Sequence, residues 1–169
     1  MSSEVHEKIE FDMVAQTTPE IDQDKPVVYL SGPIRKADDD GEEWRNGIIE
    51  EYEDEFFFNN PLDNYHPDTH DILSNPLHYD EESDKEQILP VEYVTEDKID
   101  INQADYIFLG LPDVIARGSC MEVMYGSLIG KDVFVWKIDN QTESGWIYEH
   151  AESMNSNRET VIQDMINHE

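Results

Sequence analysis

Glu122 is the side chain best placed to do chemistry. Residues 104–136, ADYIFLGLPDVIARGSCMEVMYGSLIGKDVFVW, begin with an apolar strand-like run, Tyr106–Leu111. A Pro/Gly loop then leads to a short amphipathic segment and a second apolar run, Val133–Trp136. The amphipathic segment carries one acid, Glu122, expected at or just inside a helix start. Open α/β sheets build ligand sites at the carboxyl ends of their strands. A lone carboxylate there suits a nucleophile or a general base. An acid in a first helical turn equally serves the helix dipole, so spacing alone leaves the role open.

Other residue types compete for attention. His66-x-Asp68-x-His70, with Asp71 and His78 nearby, has types and spacings a metal can use. The segment is Pro-rich and loop-like, however, and no fuller ligand set is evident, so no metal site is assigned. Cys120 lacks a His at any diagnostic local spacing and reads as a small, buried or half-buried helix residue. Arg35 and Arg117 stand out among only four arginines. Both fall in loops expected to flank a cleft, where a guanidinium can pair with a phosphate or simply solubilise the loop.

The elements that must position these residues alternate between strand and helix. Strands are expected at Val27–Ser31, Glu55–Asn59, Tyr106–Leu111 and Val133–Trp136. Helices are expected over Glu42–Tyr52, Val91–Gln103, Cys120–Ile129 and Arg158–Asn167. Trp44, Ile48, Ile49 and Tyr52 share one side of the first helix, and Trp44-Arg45 reads as packing it against the sheet. Asp105, between helix and strand, reads as a turn or cap acid. Such alternation predicts an α/β fold with a central parallel sheet covered by helices. Residues 1–25 read as a flexible acidic arm and 26–169 as one domain. Within it, 61–89 form a long loop or insertion, with a short helix near Glu81–Gln87, and 140–169 a C-terminal extension.

Composition narrows the partners. Asp and Glu number 40 against 11 Lys and Arg, a formal net charge of −29. That surplus repels nucleic acid and anionic membranes, so neither is an expected partner. With 38% hydrophobic residues the chain can still build a core. Acid spread along the whole length reads as adaptation to high salt, where screening mutes the repulsion. The alternative is an acidic decoy for a basic partner. A single cysteine fits a reducing cytoplasm, and neither a signal peptide nor a membrane-spanning run is apparent.

Three blocks of sequence, in order, resemble the nucleoside 2-deoxyribosyltransferase family, which includes deoxynucleotide N-hydrolases. Val28-Tyr29-Leu30-Ser31-Gly32-Pro33-Ile34 looks like its first strand and turn. Glu96-Asp97 followed by Gln103-Ala104-Asp105 looks like its second acidic motif. Gly118, Ser119, Glu122, Tyr125, Gly126, Leu128, Gly130 and Lys131 keep the spacing of its Glu-helix. Met124 stands where the family has Gly, which argues against close helix–sheet packing at that residue.

The resemblance implies a flavodoxin-like or Rossmann-like three-layer sandwich. It also implies cleavage of the N-glycosidic bond of a 2′-deoxynucleoside or its 5′-monophosphate, with transfer of the sugar to another base or to water. Glu122 falls on the family's nucleophile and Tyr29 on the residue that contacts and orients it. Asp97 falls on the acid that contacts the base and helps it leave. Gly32, Pro33, Arg35, Gly118 and Ser119 would shape the sugar and phosphate subsites. This chemistry requires no cofactor. The expected partner is a small-molecule nucleoside or nucleotide, and relatives form homodimers or larger homo-oligomers. The competing expectation is a catalytically silent nucleotide-binding or interaction module on the same fold, for which Met124 is the best support.

Overall fold

β1 is the pivot of the sheet. The structure, a computed structural model, describes residues 24–34, 39, 41–111, 117–138 and 145–168. Its first strand, β1 (Val27–Ser31), is five residues long and buried throughout. Burial on both faces is what a continuous apolar run predicts for a parallel strand. The order of elements is β1, α1 (Glu42–Tyr52), β2 (Phe57–Asn59), α2 (Pro61–Asn64), β3 (His70–Ile72), β4 (Glu86–Ile88), α3 (Pro90–Gln103), β5 (Tyr106–Leu111), α4 (Arg117–Leu128), β6 (Asp132–Lys137), α5 (Gly145–His150), β7 (Ser153–Asn155) and α6 (Arg158–Ile166). Five strands form one parallel sheet in the order β2-β1-β5-β6-β7. The chain leaves β1 toward β2 on one side and returns to β5 on the other. The switch point therefore lies between the carboxyl ends of β1 and β5, where such sheets take their ligands.

Two apolar layers cover the sheet. Alternate residues point to opposite faces, so Val28 and Leu30 join Ile48 of α1 and Val161, Ile162 and Met165 of α6. Val27 and Tyr29 join Ile101 of α3, Val123 of α4 and Ile147 of α5. The three-layer α/β sandwich expected from the sequence is the observed architecture. Among the described residues no helix is long and apolar enough to cross a membrane.

Several expectations need correction. Residues 81–87 are not helical: after a 3₁₀ turn at Pro76–His78, Glu86–Ile88 forms β4, paired in parallel with β3. The Pro-rich excursion thus carries its own two-stranded sheet. β2 is shorter than Glu55–Asn59, because the turn closed by Phe56 N donating to Tyr52 O holds its first residues. α4 begins at Arg117, three residues before the expected Cys120, which puts Glu122 in its second turn. The 140–169 extension supplies α5, the edge strand β7 and α6. Apart from Asp24 and Lys25, the arm expected over 1–25 lies outside the described residues.

Candidate active site

The last turn of β1 and two helices build the site. Tyr29 and Ser31, two residues apart, point to the same face of the sheet. Each holds one acid. The Ser31 hydroxyl donates to Oε2 of Glu122 on α4 at 2.6 Å. The Tyr29 phenol donates to Oδ1 of Asp97 on α3 at 3.2 Å. Both β1 side chains are fully buried. The expectation that Tyr29 orients Glu122 by a hydrogen bond is therefore corrected: its bond goes to Asp97, and Ser31 contacts Glu122.

Glu122 reaches this place because α4 lies close on the sheet. Ser119, Val123 and Gly126 are its buried residues, at spacings of four and three. A Cβ on Gly126 would fall 2.0 Å from Ile107 Cδ1, so this glycine permits the close approach. The tight packing doubted because of Met124 is supplied two residues later. Gly118 lies beside the acid, since a Cβ there would sit 3.6 Å from Glu122 Oε1.

Behind the acids sits Arg45, fully buried on α1. Its guanidinium donates to Gly41 O at 2.8 Å, Gly32 O at 2.9 Å and Leu30 O at 3.4 Å. It thus ties the end of β1 to the start of α1, which is more than the packing role expected of Trp44-Arg45. Gly41 has φ 74, and any side chain there would meet Arg45 Nη1 at 2.4 Å and Pro33 O at 2.6 Å. Gly32 is needed for space: a Cβ would come within 2.8 Å of the Trp44 ring. Pro33 is buried beside it.

Burial raises both acids, against different opposing partners. Burial raises the Glu122 carboxyl above its ordinary value, while the Ser31 hydrogen bond and the Arg45 charge pull it back. Burial, then the nearby Glu122 charge, lifts Asp97 to about 7 against the opposing hydrogen bond from Tyr29. Tyr29 itself is raised well above its ordinary value by burial and by both acids, so it stays a donor at neutral pH. Arg45 is lowered to about 10 by burial and remains charged. One turn along α3, burial lifts Asp100 to about 6, although Asn64 Nδ2 donates to it at 3.0 Å. Burial and Glu122 also push the Cys120 thiol up, which disfavours a reactive thiolate.

The remaining candidates fall elsewhere. Arg35 lies outside the described residues. Arg117 opens α4 and is exposed, and Ser119 is buried. Asp105 acts as the turn acid its place suggested, exchanging hydrogen bonds with the Val27 backbone: its Oδ2 accepts from Val27 N and its N donates to Val27 O, each at 2.8 Å. His66 faces Glu42 and His70 faces Glu86, both at 3.7 Å, while Asp71 accepts from Ser83. Among the described residues no three His, Cys, Asp or Glu side chains gather as a metal site. Ser31 and Asp100 had no site role in the sequence reading, and Arg45 only a packing one. The alternation of β1 was the available signal for Ser31, since it must share a face with Tyr29.

With this geometry in place, comparison with solved structures is informative. The 2-deoxyribosyltransferase of the psychrotolerant bacterium Bacillus psychrosaccharolyticus is similar over 85% of this chain and 92% of its own, with TM-score 0.57 and 15% identity. The chain has the 2-deoxyribosyltransferase fold. The CMP N-glycosidase BcmB of Clostridium botulinum aligns over 82% of this chain and 96% of its own, at TM-score 0.48 and 12% identity. No family model and no curated protein matches the sequence.

Proposed function

We propose that the protein breaks the N-glycosidic bond of a 2′-deoxynucleoside or its 5′-monophosphate through a covalent Glu122 intermediate. The observation that carries this reading is the pair of half-buried acids held on one face of β1 by Ser31 and Tyr29. Two titratable groups whose surroundings drive them apart divide the acid and nucleophile roles. Glu122, raised by burial and pulled back by the Ser31 hydrogen bond and the Arg45 charge, attacks C1′ of the sugar as the carboxylate. Asp97, half protonated near pH 7, gives its proton to the departing base. The shared fold supports the reading, since the similar structure is named as a 2-deoxyribosyltransferase. Water or a second base then takes the sugar from Glu122.

Gly32, Pro33, Arg35, Gly118 and Ser119 are proposed to line the sugar and phosphate side, and a homo-oligomer is the proposed assembly. The test is chromatography of free base released from the four deoxynucleosides and their monophosphates, in molar KCl, with and without a second base. Wild type should release or exchange base. Glu122→Gln should lose turnover by about 10³-fold or more while still binding ligand. A folded wild type inert across the panel refutes the proposal.

A further inference from the structure

We infer that Ser31 is a positioning residue that reserves Oε1 of Glu122 for the bond to the sugar and stabilises the carboxylate when that bond breaks. The inference rests on the proposed glycosidic reaction and adds a division of labour between the two oxygens of one acid. The Ser31 hydroxyl has one hydrogen, and it is given to Oε2 at 2.6 Å. Donation to a carboxylate makes this the stronger, charge-assisted kind of bond. Ser31 is fully buried in the strand, so its rotamer is held by its surroundings. Oε1 lies on the side of Gly118, close enough that a Cβ there would touch it at 3.6 Å. The oxygen held by Ser31 and the one beside Gly118 are thus distinguished by their neighbours.

The electron bookkeeping gives Ser31 its moment. In the first step a lone pair of Oε1 bonds to C1′, and the C1′–N bond breaks with its pair going to the base. The proton comes from Asp97. Charge leaves the Glu122 carboxylate, so the Ser31 bond weakens as the ester forms. In the second step water or a second base attacks C1′, and the C1′–Oε1 pair returns to Glu122. The attacking group's proton goes to Asp97. Charge is now rebuilding on the carboxylate, and the Ser31 hydroxyl strengthens its bond to Oε2. A donor that gains in the transition state accelerates that step. Ser31 therefore assists release of the sugar more than its capture.

Besides Ser31, the Arg45 charge from α1 acts on Glu122, and the Glu122 charge acts on Tyr29 of β1, Asp97 of α3 and Cys120 of α4. All stay in place when Ser31 is changed, so Ser31→Ala isolates its own contribution. Two readouts test it on whichever substrate wild type turns over. The first is the acid limb of the kcat/KM pH profile, where Glu122 ionises. Loss of the donor moves that limb up by about one pH unit. The second is rapid-quench base release with intact-mass analysis. Ser31→Ala should show a burst of base, a sugar adduct on the protein and steady turnover slowed about tenfold. Ser31→Cys keeps nearly the same volume with a weaker donor, so its limb should lie between the two and it serves if the Ala variant does not fold. A merely structural role lowers rates at every pH without moving the limb. An unmoved limb, or no burst, in a folded variant of an active wild type overturns the inference and leaves the proposed reaction standing. A wild type that releases no base removes both.

Discussion

Asp97 should weaken the fold, the cost of the proton donor proposed for it, and Asp97→Asn measures by how much. The carboxyl titrates near 7 in the folded chain against an ordinary 3.8. That gap of about 3 pH units corresponds to about 4 kcal/mol at most. Asp97 is partly exposed, so solvent screening trims the figure to about 2 kcal/mol. Below the ordinary value the group is protonated in both folded and unfolded chains, and the charge costs nothing. As pH rises from about 4 to about 7 the unfolded chain ionises first, so folded stability is lost across that window and the loss is constant above it. Asn is the neutral isostere, and its carbonyl can still accept from Tyr29. Asp97→Asn should therefore raise Tm by about 4–8 °C at roughly pH 8, with the advantage shrinking toward roughly pH 4. Base release by the same variant should fall by about 10²–10⁴-fold. Thermal unfolding followed by circular dichroism across this range, wild type beside variant, gives the difference directly. A stability difference independent of pH, or one favouring wild type increasingly at high pH, would refute the argument.

Two further outcomes follow from packing and charge. Gly126→Ala places a methyl 2.0 Å from Ile107 Cδ1 and 3.3 Å from its Cγ1, so α4 must lift or Ile107 must leave its rotamer. A loss of about 1–3 kcal/mol in urea unfolding is expected, and a neutral variant would show that α4 is not pinned there. With a net charge of −29, Tm should climb as KCl is raised toward molar concentration, because the screening length falls from about 10 Å at 0.1 M to about 3 Å at 1 M. A Tm indifferent to salt would argue against repulsion as a limit on this fold.

What the sequence disclosed and what it hid follow from range and length. Runs such as Val27–Ser31 and Tyr106–Leu111 are buried on both faces, so composition alone marks them as central strands. α6 was readable from its periodicity, and Asn157 caps it by accepting from Thr160 N. β3 and β4 were not readable. They are three residues each, read HDI and EQI, and owe their strand character to pairing with each other. β7, Ser-Met-Asn, is likewise made by its neighbour β6. Glu122, Asp97 and Tyr29 were visible as residue types in a resembling order. Their wiring was not, because the Ser31–Glu122 bond spans 91 positions and the Tyr29–Asp97 bond 68. Local pattern carries no information about which of two neighbouring strand residues meets which distant acid.

The strand order also governs how the chain folds as it is made. β1 is synthesised before its partner β5, which lies 78 positions later, where Val28 pairs with Tyr106 and Asp105 takes the Val27 amide. Until that stretch has emerged, a strand buried throughout in the finished fold has only the short β2 to cover one edge. Closing so long a loop before any reward arrives slows folding and leaves apolar backbone open to other chains. The dense negative charge then has a second use, keeping half-made copies apart while the centre of the sheet waits for its partner.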